Sequence, residues 1–448
     1  MPAAQPRARA AYAGLLVLLF AYLFYARTFA STDSFLLLRD QIRDWRFALG
    51  AFSDLPLTGT QSTAGGASLG PIYYWVLWLS RALLGPWVHN LPHAGAWGIA
   101  LLQGSADLLL LDAIRRTTGS VLVALAAVLL AATASHDLSV SATIWNPAVS
   151  VAFVKLAIAL RLQGGTRPSL WWTAAVTAAA WFAVQAHSAA LFIAAPVAGS
   201  VIVDDLVQRR WIRILEQVRA AVEVILLLQV PFLLHALRTT ADALPTRALA
   251  GAASGGFRVA DSAHATLVFV ASILATPWQG GAWPVVLVIA CVATTLRWRQ
   301  HVPVLAVTVG PILVTALGFA LWQGNYDEYW YLPLAPCAAI TVVLAATAWR
   351  QEQVAAALVL LTLLIQPTRL NASLGVYRMP EYGPTVAGAL RILKQTHVVR
   401  RLDTSFQMPP FSDATFPYQV MGGTFSAEAS FDAVIDRNGE VQFRPVPR

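Results

Sequence analysis

Charged side chains are scarce in this 448-residue sequence: Asp, Glu, Lys and Arg make up 12% of it, whereas 57% of its residues are hydrophobic. A soluble domain carries about 25% charged residues, so this chain cannot cover a water-facing surface of ordinary polarity. Its mean hydropathy of +0.60 points the same way. The composition excludes a soluble globular protein and indicates an integral membrane protein.

Cysteine is almost absent, and the two present, Cys291 and Cys337, lie in apolar runs. This excludes a disulfide framework and a thiolate metal site. Acidic residues are also few, 23 against 31 Lys and Arg, so the net charge is +8. Because the arginines form short clusters between apolar runs, the positive-inside rule explains this charge better than nucleic-acid binding does. We expect membrane lipids around the chain and no nucleic-acid partner.

Long apolar runs recur between Ala11 and Gln366, and each approaches the roughly 20 residues that cross a bilayer as a helix. The first run, AYAGLLVLLFAYLFYA, follows Arg7 and Arg9 and lacks a small-residue cleavage site. We therefore interpret it as a retained span rather than a signal peptide. The sequence predicts an all-α polytopic membrane protein.

The arginine clusters predict the topology. If Arg7 and Arg9 are cytoplasmic, the later clusters should return to the cytoplasm, and about eleven transmembrane helices satisfy this requirement. The clusters lie at 115–116, 161–167, 209–213, 297–299 and 350. The ten spans after the first are predicted at 94–112, 119–134, 148–162, 170–184, 188–203, 221–237, 283–296, 303–322, 331–348 and 353–366. The C-terminus is then external.

Two apolar segments, 72–85 and 265–276, are too short to cross and are predicted to be re-entrant or interfacial helices. The transmembrane module therefore covers 1–366. Residues 367–448 contain no long apolar run but include the strand-like pieces FDAVIDR and EVQFRPV. They predict a small external α/β domain.

The first external loop, 31–93, is unusually long, and long loops tend to be functional. Its apolar residues recur in steps of three and four, which predicts an amphipathic helix lying along the membrane surface. These residues are Phe35, Leu38, Ile42, Trp45, Leu49 and Phe52.

The stretch RDQIRDW, residues 39–45, concentrates charge within this helix. At about 100° per residue, Asp40 and Asp44 share one face, while Arg39, Arg43 and Arg46 form a separate edge. Like charges at i,i+4 cost about 0.2–0.5 kcal/mol per pair, so the separation favours a functional role. The alternative is an amphipathic helix whose polar face is merely solvated.

The loop continues as LPLTGTQSTAGGASLGPIYYW, in which Gly59, Gly65, Gly66 and Gly70 allow close approach of the backbone to a ligand. DQIRD, this stretch, WNP, QAHSA and YWYLPLAP occur in this order. Together they resemble bacterial glycosyltransferases of the GT-C superfamily, in the branch related to protein O-mannosyltransferases and aminoarabinose transferases. The resemblance covers about the first 350 residues.

The resemblance implies a GT-C-like bundle in the bacterial inner membrane. It also implies a polyprenyl-phosphate-linked sugar as donor, and transfer to a lipid, glycan or protein acceptor on the non-cytoplasmic face, with inversion. A transporter or flippase of lipid-linked saccharides is the alternative, although transporters tend to show internal repeats and we find none in the sequence.

Carried onto this chain, the resemblance implies that Asp40 is the general base and that Asp44 orients it or acts as an auxiliary acid. Gln41 replaces the glutamate found in some relatives and cannot act as a second base, so it is expected to bind the donor or acceptor. Arg39 and Arg43 are expected to bind the departing phosphate. The aromatic pair Tyr73 and Tyr74 is expected to line the donor or acceptor site.

Other polar residues fall at predicted external ends of helices. Gln185 and His187 are candidate donor or acceptor ligands, although a lone histidine is often only hydrogen-bonded within a bundle. Asp327, Glu328 and Tyr329 are candidates of the same kind. Two acids without a nearby histidine make a poor metal site, so no obligatory metal or other cofactor is expected; a divalent metal is possible but unsupported. WNP (145–147) is explained well enough as a helix start.

Overall fold

The computed structural model describes residues 4–61, 67–238, 258–275, 281–322, 326–348, 351–375 and 377–446. Most of the predicted apolar runs form helices. In the predicted transmembrane module these are α1 (Ala4–Thr28), α2 (Arg39–Leu49), α3 (Ile72–Leu84), α4 (His93–Thr118), α5 (Val121–Ala132), α6 (Ser135–Ser141), α7 (Asn146–Gln163), α8 (Leu170–Ala186), α9 (Leu191–Gly199), α10 (Val203–Val207), α11 (Trp211–Arg238), α12 (Val259–Ala275), α13 (Trp283–Trp298), α14 (Val302–Val307), α15 (Val309–Gly318), α16 (Ala335–Ala346) and α17 (Gln351–Leu374).

Within the described residues, six helices are long and apolar enough to cross a membrane, or seven if α5 and α6, bent by 63°, form one span. The protein is a multi-pass membrane protein. Three further apolar helices are shorter: Val259–Ala275, Trp283–Trp298 and Val309–Leu321. The predicted run 303–322 is broken, because α14 and α15 are separate helices. The total of about eleven spans stays a prediction.

Four charged side chains meet inside the bundle at the bend between α5 and α6. Arg27 Nη2 lies 2.6 Å from Asp107 Oδ2 and 3.1 Å from Asp137 Oδ2. Lys155 Nζ lies 3.0 Å from Asp107 Oδ1 and donates to Gln103 Oε1 at 2.8 Å. We call Arg27, Asp107, Asp137 and Lys155 the buried ion cluster, since each is at most 4% exposed.

The buried ion cluster joins four helices, because its members come from α1, α4, α6 and α7. Two cations face two carboxylates, so the cluster carries no net charge. Removing one partner from such a group leaves an unpaired charge in a poorly solvated interior, which typically costs about 3–5 kcal/mol. The cluster therefore holds α6 at a defined position, although α6 is only seven residues long.

The C-terminal residues form the small α/β unit that the sequence predicted. It contains α18 (Tyr382–Gln395), α19 (Phe416–Val420), β1 (Val398–Val399), β2 (Arg401–Thr404), β3 (Thr424–Phe425), β4 (Phe431–Ile435) and β5 (Val441–Pro445). β4 is central in a three-stranded sheet, parallel to β2 and antiparallel to β5, and β1 pairs with β3 in parallel. α17 continues through Pro367 to Leu374, so the predicted boundary after residue 366 lies within a helix.

The C-terminal unit packs against the start of the first loop. Gly383 N–H donates to the Asp33 carbonyl at 3.1 Å, and Met379 N–H donates to the Ser34 carbonyl at 3.3 Å. The guanidinium of Arg46 in α2 lies 5.5 Å from the ring centroid of Phe416 in α19. The loop is thus held between the bundle and the C-terminal unit.

We predict that Lys155→Met lowers the unfolding temperature markedly, since it leaves the two buried carboxylates with one cation. The double variant Lys155→Met/Asp107→Asn keeps the balanced Arg27–Asp137 pair and should recover much of the loss. Tryptophan fluorescence during heating in detergent measures both. Equal unfolding temperatures for the wild type and Lys155→Met would show that the cluster does not hold the helices.

Candidate active site

Helix α2, which carries the charged stretch, is fixed by contacts at both ends. The Gln41 side chain accepts a hydrogen bond from Leu38 N–H at 3.2 Å and so caps the helix start. The fully buried indole of Trp45 donates to the Asn90 carbonyl at 2.8 Å. Gln41 therefore has a structural role here, although the sequence placed it among the ligand-binding residues.

The two aspartates of α2 differ in exposure, although their spacing predicts one shared helix face. The side chain of Asp40 is 70% exposed, whereas that of Asp44 is 5% exposed. Helix α3 packs against α2 and covers Asp44 with Tyr73 and Tyr74, which are both buried. Helical spacing alone could not show this, because the covering helix lies some 30 residues further along the chain.

Asp44 is surrounded by hydrogen-bond donors. Arg43 Nε donates to Asp44 Oδ1 at 2.9 Å, and the Tyr74 hydroxyl donates to the same oxygen at 3.2 Å. The Tyr73 hydroxyl lies 3.2 Å from Asp44 Oδ2 and 3.1 Å from the Ile144 carbonyl. Burial raises the pKa of Asp44 to about 6, and the hydrogen bonds from Arg43 and the tyrosines oppose that rise.

Arg43 connects the buried aspartate with the exposed one. Its Nη1 donates to Asp40 Oδ1 at 3.0 Å, and its Nη2 lies 2.8 Å from Asp44 Oδ1. A guanidinium carries five N–H groups, and three of them face these carboxylates, so two are left for another anion. Arg39 is exposed one residue before Asp40. We call Asp40, Arg43 and Asp44 the carboxylate–arginine unit.

The glycine-rich loop packs on Gln185 rather than presenting it to a ligand. A side chain at Gly70 would collide with the Gln185 amide, and one at Gly59 would lie 2.9 Å from the Gly70 carbonyl. Gln185 belongs to α8, and its Nε2 donates to the Leu228 carbonyl at 2.7 Å, which ties α8 to α11. Two of the predicted glycines, Gly65 and Gly66, lie outside the described residues.

The structure brings a second set of residues together, of which the sequence had named His187, Glu328 and Tyr329. Tyr329 lies with its ring centroid 5.0 Å from Trp145 and 6.0 Å from His187. Tyr377 lies 4.9 Å from Trp145, and its hydroxyl donates to Glu328 Oε1 at 3.3 Å. The neighbouring Asp327 is exposed.

His136 completes this set, with its Nε2 3.0 Å from Glu328 Oε1. Sequence reasoning missed His136 and Tyr377 and gave Trp145 only a helix-start role. The polar run Ser-His-Asp at 135–137, inside an apolar region, was the available signal for His136. Nothing in the sequence near Tyr377 distinguished it from other loop tyrosines.

The described residues contain no group of three or more His, Cys, Asp or Glu side chains arranged to hold a metal ion.

Asn146, predicted as part of the helix start, donates its amide to the Ala186 carbonyl at 2.9 Å. It therefore ties the beginning of α7 to the end of α8, one residue before His187.

Two crystal structures of ArnT from Cupriavidus metallidurans share this architecture. The complex with undecaprenyl phosphate matches with a TM-score of 0.58 at 17% sequence identity, covering 91% of this chain and 85% of that one. The apo structure matches with a TM-score of 0.55 at 15% identity and the same coverage. No family model matches this sequence, and no curated protein matches it either.

The chain has the ArnT fold. The architecture that the five motifs predicted is therefore confirmed. At this identity the likeness to ArnT establishes the fold alone.

The raised pKa of Asp44 predicts a pH-dependent stability. Between about pH 4 and pH 6 the folded protein keeps a proton on Asp44 that the unfolded chain releases, so the free energy of unfolding should fall as the pH rises. Asp44→Asn should abolish this fall in the free energy of unfolding, because the amide does not titrate. Tyr74→Phe removes a donor to the carboxylate and should extend the fall to higher pH. Thermal unfolding in detergent from about pH 4 to pH 7 measures it; identical profiles for the wild type and Asp44→Asn would contradict it.

Proposed function

We propose that this protein is a glycosyltransferase that moves a sugar from a polyprenyl-phosphate-linked donor to a hydroxyl group of a lipid, glycan or protein acceptor. Transfer takes place on the non-cytoplasmic face of a bacterial inner membrane. The N-terminus is cytoplasmic and the C-terminal unit is external. A transport role would not require the carboxylate–arginine unit.

One observation carries the proposal: this chain presents a base and a cation side by side in its first loop. A protein with the same fold over 91% of this chain is bound to undecaprenyl phosphate, which supports it. Asp40 Oδ1 and Arg43 Nη1 are 3.0 Å apart. Displacement of a phosphate by a hydroxyl needs both groups, since a proton must be removed and an anion must be stabilised.

Asp40 acts as the general base. Its exposed carboxylate takes the proton of the acceptor hydroxyl while the hydroxyl oxygen bonds to the anomeric carbon of the sugar. The bond between that carbon and the phosphate oxygen breaks, and its electron pair leaves with the polyprenyl phosphate. Attack from the face opposite the phosphate inverts the anomeric configuration.

Arg43 and Arg39 stabilise the departing phosphate through charge-assisted hydrogen bonds. Asp44 orients Arg43, because the buried carboxylate binds both Nε and Nη2 of the guanidinium. Tyr73 and Tyr74 hold Asp44 in turn. Gln41, as a helix cap, and Gln185, as a packing residue, take no part in the chemistry.

We predict that Asp40→Asn lowers sugar transfer by about 10²–10⁴, the usual effect of losing a general base. Asp44→Asn should cost less, because it acts by orienting Arg43. Transfer is measured with purified protein in detergent and a glycosyl undecaprenyl phosphate donor. Asp54→Asn is the matched control, since Asp54 is an exposed acid on the same loop. Near-normal transfer by Asp40→Asn would exclude Asp40 as the base.

Reporter fusions test the topology. A reporter that is active only outside the cytoplasm should be active when fused after Arg448 and silent when fused after Arg116 or Arg210. The reason is that the arginine clusters remain in the cytoplasm. Activity of the fusion at Arg210 would contradict the predicted orientation of the bundle.

A further inference from the structure

We propose that Trp145, Tyr329 and Tyr377, together with Glu328, His136 and His187, form the subsite that binds the sugar ring of the donor. This inference rests on the proposed function and adds the place where the glycosyl group lies. We call the six residues the aromatic subsite.

The three rings form an angled wall. The Trp145 plane is tilted by 37° to Tyr329 and by 72° to Tyr377, with centroids 5.0 and 4.9 Å away. All three side chains are only partly buried, so their faces and edges are not used up by packing. The C–H face of a sugar ring is apolar and carries slight positive charge, which suits the negative face of an aromatic ring.

Tyr377 is held in an unusual backbone conformation. Its φ angle is +49°, in the left-handed region that a bulky residue rarely occupies. Residues in such conformations cluster at ligand sites, because the surrounding structure must maintain them. Here the conformation places the Tyr377 ring against Trp145 and its hydroxyl on Glu328.

Hydrogen-bonding groups line the same place. Glu328 is held by His136 and Tyr377 through Oε1, and its side chain remains 31% exposed. Sugar hydroxyls donate and accept hydrogen bonds, so they can pair with the exposed part of the Glu328 carboxylate.

The aromatic subsite adjoins the carboxylate–arginine unit. The Tyr73 hydroxyl contacts both Asp44 and the carbonyl of Ile144, the residue before Trp145. The subsite residues lie at the ends of bundle helices, where a sugar attached to a membrane-embedded polyprenyl chain would arrive. The side chain of Asp40 is 70% exposed, so an acceptor can reach it. These positions assign the ring to the donor.

The test compares the affinity of the protein for undecaprenyl phosphate with its affinity for undecaprenyl phosphate esters of glucose, mannose and arabinose. The wild type should bind at least one ester more tightly. Trp145→Leu and Tyr329→Leu should lower that preference by roughly threefold to tenfold, the range for an aromatic contact, and leave undecaprenyl phosphate binding unchanged. Glu328→Gln should also lower the preference for the ester. Trp171→Leu is the control, because Trp171 is 87% exposed.

Three results would overturn the inference: no ester preference in the wild type, an unchanged preference in Trp145→Leu and Tyr329→Leu, or equal weakening of both ligands, which would mean that the rings contact the lipid. Unfolding temperatures identify variants that fail to fold. Any such variant is replaced by Tyr377→Phe, which keeps the ring and removes only the hydroxyl that donates to Glu328. A preserved ester preference without sugar transfer would contradict the proposed function and leave the subsite standing.

Discussion

The position of the site depends on the buried ion cluster. Arg27 lies at the end of the first helix and precedes the long first loop, while Asp137 follows His136, which contacts Glu328. The Arg27–Asp137 ion pair therefore fixes both the start of the loop and the position of the aromatic subsite. Hydrophobic packing between the apolar helices of a membrane protein is weakly directional. A balanced set of buried charges permits only arrangements that pair all its members, and so selects one register of the helices.

From that anchor the loop is positioned by successive contacts of moderate strength. Trp45 fixes α2 through Asn90, α3 covers Asp44, and the C-terminal unit contacts Asp33 and Arg46. Each hydrogen bond is worth about 1 kcal/mol net. The charged helix α2 is held in place because several such contacts act on it at once.

Sequence reasoning recovered the features that depend on local periodicity and composition. Helix α2 begins at Arg39 within the predicted amphipathic segment, and both strand-like pieces, FDAVIDR and EVQFRPV, became β4 and β5. Contacts between distant segments were not recovered. The sequence did not indicate the ion pairs of Asp107, because its partners Arg27 and Lys155 are 80 and 48 residues away. The burial of Asp44 was missed for the same reason, since Tyr73 and Tyr74 belong to another helix.

The difference between the two aspartates follows from what covers each of them. Asp44 is oriented but enclosed, because Arg43, Tyr73 and Tyr74 occupy its oxygens. Asp40 has Arg43 on one oxygen and an exposed side chain, so a hydroxyl can approach it. Arg43 links them: a proton on Asp44 would weaken its hold on the guanidinium and so alter the environment of Asp40. The buried acid thus orients the guanidinium of Arg43, while the exposed acid remains accessible.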